Sequence, residues 1–374
     1  MQGNIVLVIV IGTAIAFDFT NGFHDTANVV ATVISTRAVP PRVAIAFAAL
    51  LNFVGAFISL KVATTVGQGF VASTQVSMTI VFAGLIGAIA WNLATWYLGL
   101  PSSSSHALIG GLVGAMIAAH GVSAINGDGL LGKLIIPAVI APVLAFVTAA
   151  GAITIIYRIV GRLRPGAVNR YFRLGELVSG GLLALSHGTN DAQKTMGIMT
   201  LALIAHHNLP STGFHVPVWV VVSAGSAIAL GTFSGGWRII RTMGTRIIKM
   251  DTAQGFAAQS AGAAVILAAS GAGYPLSTTH VISGGVMGAG AAKRLSAVRW
   301  GVAGNIVFAW MLTLPAAALI GALTYGLARA FGAGALGPLV ISASLLILLG
   351  AVFIRGLRKR PRAGQDPLVA GAPQ

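Results

Sequence analysis

Two aspartates, Asp25 and Asp191, lie in the middle of long apolar segments, and a short polar run surrounds each of them. The runs read NGFHDTAN (21–28) and HGTNDAQK (187–194), and they align without gaps. An ionisable side chain inside an apolar segment is costly to bury, so it is a functional candidate by default. The alternative is a polar cluster that only packs helices together. We expect both carboxylates to hold a cation or a hydrogen-bond donor.

Two further polar runs consist mainly of hydroxyl residues. They read PSSSSH (101–106) and PLSTTH (275–280), and each precedes an apolar, glycine-containing stretch. Proline followed by Ser or Thr before such a stretch is typical of a helix N-terminus. Free N–H groups, the positive end of the helix dipole and several hydroxyl donors would then meet at one point, which suits an oxyanion. Simple capping or small-residue packing is the alternative, since Ser and Thr do both in membranes.

The four runs form an internal repeat. Each half of the chain carries an aspartate run followed by a hydroxyl run, in the same order and at nearly the same offset. Two hydroxyl runs in symmetric positions favour binding over capping. We expect their tips to meet and to surround one tetrahedral anion.

Composition places the chain in a lipid bilayer. Of its 374 residues 56% are hydrophobic and only 8% are charged, too few to cover a soluble protein of this size. The apolar stretches 134–156, 300–324 and 331–354 are long enough to cross a hydrocarbon core of roughly 30 Å as helices. The net charge of +16 does not indicate a nucleic-acid partner, because Lys and Arg separate the apolar stretches instead of clustering with aromatic residues. The predicted fold class is therefore an all-α polytopic membrane protein.

The positive charges predict the topology. Most of the 23 Lys and Arg residues fall into groups that we place in the cytoplasm, which gives seven crossings and two re-entrant helical hairpins at 78–120 and 252–292. The two aspartate segments then run in opposite directions, as in the inverted-topology repeats of secondary transporters. Each aspartate segment is longer than one straight crossing requires, so we expect broken helices, with the breaks near Gly22 and Gly188.

This topology divides the chain into five parts. They are a first inverted repeat in the membrane (1–157), a basic cytoplasmic loop (158–173), a second inverted repeat in the membrane (174–325), a terminal span (326–354) and a cytoplasmic tail (355–374). Cysteine is absent, which excludes disulfides and thiolate metal sites. Neither His106 nor His280 has a second imidazole at metal-ligand spacing, and we expect no metal site and no cofactor.

Several polar residues are expected to support the site without binding the substrate. They are Asn21, His24, Gln193, Lys194, His106 and His280. Lys194 replaces the first repeat's Asn28 and is a candidate partner for Asp191 or Asp25. Glu176 lies close to the basic segment, and we interpret it as a surface ion-pair partner.

At these residues the sequence resembles the inorganic phosphate transporter (PiT) family, whose repeats carry GANDxAN-like and PxSSTH-like signatures. The corresponding motifs here are GFHDTAN and GTNDAQK, followed by PSSSSH and PLSTTH, and the resemblance covers roughly residues 5–351. It implies that Asp25 and Asp191 also serve the coupling cation. The implied phosphate ligands are Asp25, Asn28, Ser103, Ser104, Ser105, Asn190, Asp191, Ser277, Thr278 and Thr279.

Two departures from the family pattern bear on the coupling ion. His24 stands where the signature has Asn, and Asn52 and Gln259 occupy positions at which sodium-coupled animal relatives carry Glu. Both indicate the proton-coupled branch, in which phosphate is also carried as a divalent metal-phosphate complex. The prediction is a multi-pass symporter of the plasma (inner) membrane for inorganic phosphate and a proton. Sodium-coupled phosphate transport is the alternative, and a homodimer is compatible with this interpretation.

Two other functions fit the residues less well. A sulfate permease of the same fold would use the same hydroxyl donors, but hydrogen phosphate carries a proton that can be donated to Asp25 or Asp191, whereas sulfate only accepts. An intramembrane phosphatase would pair a serine with a histidine. The adjacent Ser105 and His106 would point in different directions at the start of one helix, so we expect transport and no enzymatic activity.

Overall fold

The computed structural model describes residues 2–210, 213–332 and 334–358, and this part of the chain is helical with no strand. The helices in chain order are α1 (Gln2–Ser35), α2 (Pro41–Gly55), α3 (Lys61–Gln68), α4 (Met78–Leu98), α5 (Ser104–His120), α6 (Gly127–Leu130), α7 (Ile136–Val160), α8 (Pro165–Ala205), α9 (Val218–Ser234), α10 (Trp237–Arg241), α11 (Thr252–Gly271), α12 (Thr278–Lys293), α13 (Trp300–Ala330) and α14 (Leu336–Arg358). A π-helical turn (Leu131–Ile135) joins α6 to α7. The predicted tail begins inside α14, and its residues 359–374 lie outside the described residues.

Helix α7 shows how the bundle meets lipid. Its large residues Val139, Val143 and Val147 recur every fourth position and are 58–65% exposed. The opposite face carries Ala141, Ala145 and Ala149, which are buried. Large apolar side chains outward and small ones inward is the pattern of a membrane helix, because lipid solvates valine while close packing needs small residues. Four helical segments of the described chain are long and apolar enough to span a bilayer, with a bent pair, 218–234 and 237–246, as a fifth.

The aspartate helices α1 and α8 are continuous, so the predicted breaks at Gly22 and Gly188 are wrong. These glycines let helices approach closely instead. A Cβ on Gly22 would lie 2.2 Å from the carbonyl oxygen of Ile228 in α9, and one on Gly188 would lie 2.1 Å from that of Asn52 in α2. The polar runs need no unwound backbone, because neighbouring helices supply their partners. Extra length in α8 is accommodated in the basic segment, where the helix already begins at Pro165.

The two segments predicted as re-entrant hairpins, 78–120 and 252–292, each form a pair of packed helices joined by a turn. α4 packs against α5 and α11 against α12, and each pair turns at a hydroxyl run. Ser103 and Ser277 are the N-caps of α5 and α12, and their side chains accept hydrogen bonds from the backbone N–H groups of His106 and His280 at 3.1 and 3.3 Å. The helix N-termini expected at both runs are therefore confirmed.

The helix contacts follow a two-fold pattern across the halves. α1 packs along α9 and α2 along α8, while α5 packs on α13 and α12 on α7. Glycine again sets the distances: a Cβ on Gly114 would lie 1.9 Å from the Ala318 oxygen, and one on Gly288 would lie 2.1 Å from the Phe146 oxygen. Each half therefore completes the packing of the other, which brings both aspartates and both hairpin tips to the centre.

The close contact at Gly22 predicts a selective effect of one added methyl group. We expect Gly22→Ala to destabilise the folded protein by about 1–3 kcal/mol, because α1 and α9 must separate to accommodate the Cβ. The control is Gly12→Ala on the same helix, where nothing lies within 4 Å of the new Cβ. Thermal unfolding in detergent measures both variants. Equal unfolding temperatures would contradict the packing role of Gly22.

Candidate functional site

Asp25 is buried on α1, with 2% of its surface exposed, and it meets both hairpins. Its Oδ2 accepts a hydrogen bond of 2.9 Å from the Ser104 hydroxyl of α5. The Thr279 hydroxyl of α12 lies 3.5 Å from its Oδ1. The same Oδ1 lies 2.6 Å from Nδ1 of His24, so aspartate and imidazole form a close hydrogen-bonded pair. One carboxylate therefore joins the two hydroxyl runs that the sequence places far apart.

Asp191 is fully buried on α8 and has a cationic partner. Lys194, one helical turn further on, places its Nζ 2.6 Å from Oδ1 of Asp191. Lys194 also donates to the Ser105 hydroxyl at 2.5 Å and to the carbonyl oxygen of Leu276 at 2.7 Å. It is only 1% exposed, so all its donors are directed into the site. Of the two partners expected for Lys194, Asp191 and Asp25, the structure shows the ion pair with Asp191.

A third ligating group completes the centre of the site. Atoms of Asp25, Asp191 and His187 lie within 4.8 Å of one another, and all three residues are buried. Nε2 of His187 is 3.4 Å from Oδ2 of Asp191, while its Nδ1 is 3.1 Å from Oδ1 of Asn52. Two carboxylates and an imidazole can hold a proton or a metal cation between them. Sequence reasoning did not select His187, although its position four residues before Asp191 in a helix places it on the same face.

The hydroxyls of the two runs divide into two roles. Ser104, Ser105, Thr278 and Thr279 converge on the centre, where Asn28 donates to Thr279 at 2.9 Å and to Thr278 at 3.3 Å. Thr278 also lies 3.5 Å from Oδ2 of Asp191. By contrast, the hydroxyls of the two N-caps turn back to their own helix backbones.

Of the remaining amides of the aspartate runs, Asn190 and Gln193 contact neighbouring helices, and Asn21 contacts a residue of its own helix. Asn190 donates to the Ser270 hydroxyl at 2.8 Å and to the Tyr274 oxygen at 3.1 Å, so it contacts the turn of the α11–α12 hairpin and none of the carboxylates. Gln193 accepts from the first N–H groups of α3, at Val62 and Ala63. Asn21 lies 3.5 Å from Oδ1 of the buried Asp18.

Two histidines lie behind the hairpin tips. The rings of His106 and His280 are 4.8 Å apart, and His280 stacks on Trp310 at 4.1 Å. Nδ1 of His280 is 3.4 Å from the Ala138 carbonyl. The contact between His106 and His280 joins the two hairpins at equivalent positions of the repeat, and Trp310 packs against it.

Glu176 is not the surface residue that we expected from its neighbours. It is fully buried, and its Oε2 accepts a hydrogen bond of 2.8 Å from Thr36 at the end of α1. Gly255 of α11 makes this possible, since a Cβ there would lie 1.8 Å from Oε1 of Glu176. The basic residues nearby in sequence misled the prediction, because burial depends on α11, which is distant in sequence.

A sequence profile of the phosphate transporter family matches residues 21–321, a range that contains every residue of this centre. The chain belongs to the phosphate transporter family. It is 49% identical over 353 residues to a Mycobacterium bovis protein named "Probable low-affinity inorganic phosphate transporter", with 94% of this chain and 84% of that protein covered. A Rhizobium meliloti protein of the same name is 50% identical over 321 residues, which cover 86% of this chain and 96% of the relative.

A solved structure described as "The sodium-dependent phosphate transporter" has the same fold. Its TM-score is 0.79 at 24% sequence identity, and the match covers 86% of this chain and 98% of that one. This member of the phosphate transporter family is thus a multi-pass, all-helical membrane protein, as its composition predicts.

Lys194 and Asp191 form a buried ion pair in this phosphate transporter family member, so their contributions to the free energy of unfolding should depend on each other. Lys194→Gln leaves Asp191 without its cation, so we expect a loss of about 3–5 kcal/mol in the free energy of unfolding. Asp191→Asn in the same molecule removes the uncompensated charge and should recover most of the loss. Thermal unfolding of the single and double variants measures this. A double variant no more stable than Lys194→Gln would show that the pair is not coupled.

Proposed function

We propose that this protein is a secondary active transporter that carries inorganic phosphate inward across the plasma membrane together with a proton. The observation that carries the proposal is the meeting of Asp25 and Asp191 with hydroxyls from both hairpin tips in one buried centre. The hydroxyl donors for an oxyanion therefore lie in contact with the carboxylate acceptors for a cation. A symporter needs this proximity, because each solute must favour binding of the other.

The anion subsite is formed by the N-terminal ends of α5 and α12. Ser104 and Ser105 come from one end, Thr278 and Thr279 from the other, and the dipoles of both helices add positive potential. The ammonium of Lys194, bonded to Ser105, supplies a full positive charge. Hydroxyls, dipoles and one buried cation suit a tetrahedral dianion that must leave water.

The carboxylates favour phosphate over sulfate. Hydrogen phosphate still carries one proton and can donate it to an Asp25 or Asp191 oxygen, whereas sulfate has only acceptors and would be repelled by both. Relatives named as inorganic phosphate transporters support the same choice. Sulfate remains the competitor to include in every uptake assay.

The proton is assigned to the His24–Asp25 pair. Asp25 and Asp191 carry two negative charges, and Lys194 offsets one of them. A proton shared over the 2.6 Å contact of His24 with Asp25 offsets the other, so the centre accepts a dianion only after it has gained a proton. This ordering makes phosphate entry depend on protonation.

Sodium is the alternative coupling ion, and two observations favour it. The group formed by Asp25, His187 and Asp191 could ligate a cation, and the solved relative of this fold is named as sodium-dependent. Hard cations prefer oxygen ligands, however, and two of the nearest groups here are the imidazoles of His24 and His187. The same group could instead accept the divalent ion of a metal-phosphate complex when that ion is a transition metal such as Zn²⁺, for which imidazole is a good ligand.

The alternating-access scheme follows from the repeat. We place the basic segments 158–173 and 237–249 in the cytoplasm, so that α1 and α8 cross in opposite directions and the two hairpins enter from opposite faces. Each hairpin would then open the shared centre to one side of the membrane.

Neutral amides at the two aspartates should stop transport. We expect Asp25→Asn and Asp191→Asn each to abolish uptake of labelled phosphate into proteoliposomes, because the amide keeps the shape and removes the charge partner of the cation. Asp25→Asn should still purify as a folded, monodisperse species. Asp191→Asn leaves the buried Lys194 without its partner and is less stable, so its uptake is compared with the wild type only for the fraction that remains monodisperse. The matched control is Asp128→Asn, which changes an exposed carboxylate at the start of α6 and should leave uptake unchanged. Uptake by both site variants at the wild-type rate would exclude this centre as the transport site.

The variant His24→Asn distinguishes proton coupling from sodium coupling. The variant removes the imidazole partner of Asp25, so we expect it to lose most of its uptake and all stimulation by external acid, in sodium or in choline medium. Thr95→Ala is the control, because it removes a 3.2 Å contact of the same ring and leaves the imidazole in place. Full sodium-dependent uptake by His24→Asn would instead assign the coupling role to sodium.

A further inference from the structure

A cavity of about 380 Å³ opens beside the turn of the α11–α12 hairpin. Lys61 of α3 and Lys133 of the π-helical turn both line it, and the remaining lining side chains are polar or small. No carboxylate lines the cavity among the residues that the structure describes. Both lysines are exposed at this surface, so the cavity has a positive potential.

These lysines are exceptions to the charge pattern of the chain. Lys61 and Lys133 fall on the face opposite the basic groups that we place in the cytoplasm, where Lys and Arg are disfavoured. They come from segments distant in sequence and still line one cavity. Lys133 makes no hydrogen bond or ion pair with the part of the chain that is described, so its ammonium is available to a ligand.

Lys61 also holds the hairpin. Its Nζ donates to the carbonyl oxygen of Gly271 at 2.9 Å, which is the last residue of α11 and the negative end of that helix. Arg238 donates in the same way to the Tyr97 oxygen near the end of α4, so both hairpins are held by a basic residue of the other half. Lys61, which holds the end of α11, also lines the cavity.

The hairpin turn separates the cavity from the central site. Ala272 and Gly273 line the cavity, while Leu276, three residues on, accepts hydrogen bonds from Lys194 and Ser105 in the centre. A Cβ on Gly273 would lie 3.3 Å from the Thr65 hydroxyl, so the turn packs directly on α3. Only the short hairpin turn from Ala272 to Leu276 would therefore separate a solute in the cavity from the phosphate subsite.

We propose that this cavity is an outer vestibule that binds hydrogen phosphate before it reaches the centre. Lys61 and Lys133 supply charge, while the Thr65 hydroxyl and the Gln68 amide line the cavity and would donate hydrogen bonds. The Thr64 hydroxyl already donates to the Leu60 carbonyl, so position 64 can carry a probe without loss of a ligand. A bound dianion competes with Gly271 for the Lys61 ammonium and so loosens the hairpin turn. The direction of passage rests on the proposed function, whereas anion binding in the vestibule does not.

The test uses a thiol in the cavity, because the wild-type chain contains no cysteine. Thr64→Cys is reacted in purified protein with an anionic and a cationic methanethiosulfonate, and Val122→Cys, whose parent side chain is 72% exposed, serves as the reference position. We expect the ratio of anionic to cationic rates to be about tenfold higher at the Thr64→Cys thiol. Inorganic phosphate should slow labelling there and leave the reference position unaffected.

Charge variants identify the source of the effect. Adding Lys61→Gln or Lys133→Gln to the Thr64→Cys protein should lower the ratio several-fold, and Lys133→Gln breaks no described contact that could unfold the hairpin. Arg329→Gln, an exposed basic residue outside the cavity, is the matched control and should leave the ratio unchanged. Equal ratios at the two thiols, or no response to either lysine variant, would overturn the vestibule.

The outcome is separable from that of the proposed function. Phosphate uptake by a protein whose Thr64→Cys thiol shows no anion preference would overturn the vestibule and leave the transporter intact. Anion preference and phosphate protection without uptake would support the vestibule and contradict the transport proposal. In transport assays Lys133→Gln should raise the KM for phosphate several-fold with little change in the maximal rate.

Discussion

Two carboxylates buried together in a low-dielectric interior are the constraint on which the structure depends. Asp25 and Asp191 are at most 2% exposed, and isolated charges in such a place would be strongly unfavourable. Lys194 offsets one charge, and hydroxyl donors from both hairpins contact the carboxylates. Among the described residues Asp25 has no Lys or Arg partner, and a coupling cation would supply the positive charge that Lys194 supplies to Asp191.

These partners reach the aspartates because the helices pack closely. Glycines at the crossings of α1 with α9 and of α2 with α8 bring backbones to distances that no side chain would permit. Glycines in α5 and α12 do the same against α13 and α7, which sets the depth of the hairpin tips. Since lipid gives little driving force between apolar helices, such contacts carry much of the stability of the bundle.

The repeated motifs predict that both aspartates and both hydroxyl runs meet in one centre, and the structure brings four of the six predicted hydroxyls to the centre around Asp25 and Asp191. The hydroxyls of Ser103 and Ser277 and the amide of Asn190 make other contacts. The motifs were not sufficient to predict how the residues of the centre meet. Gly22 and Gly188 looked like helix breaks, and only the positions of α9 and α2 reveal them as packing contacts. Glu176 looked exposed because its sequence neighbours are basic, while α11 buries it. His187 was missed because one histidine carries little signal until Asp25 is beside it.

The proposed meeting of phosphate with a transported proton at the His24–Asp25 pair can be tested with imposed ion gradients. Purified protein in proteoliposomes is given labelled phosphate outside, first with a pH gradient, alkaline inside and free of sodium, and then with a sodium gradient at equal pH. We expect phosphate to accumulate above equilibrium with the pH gradient, and this accumulation to collapse when a protonophore is added. Accumulation that requires the sodium gradient and ignores the pH gradient would contradict the proposed proton coupling.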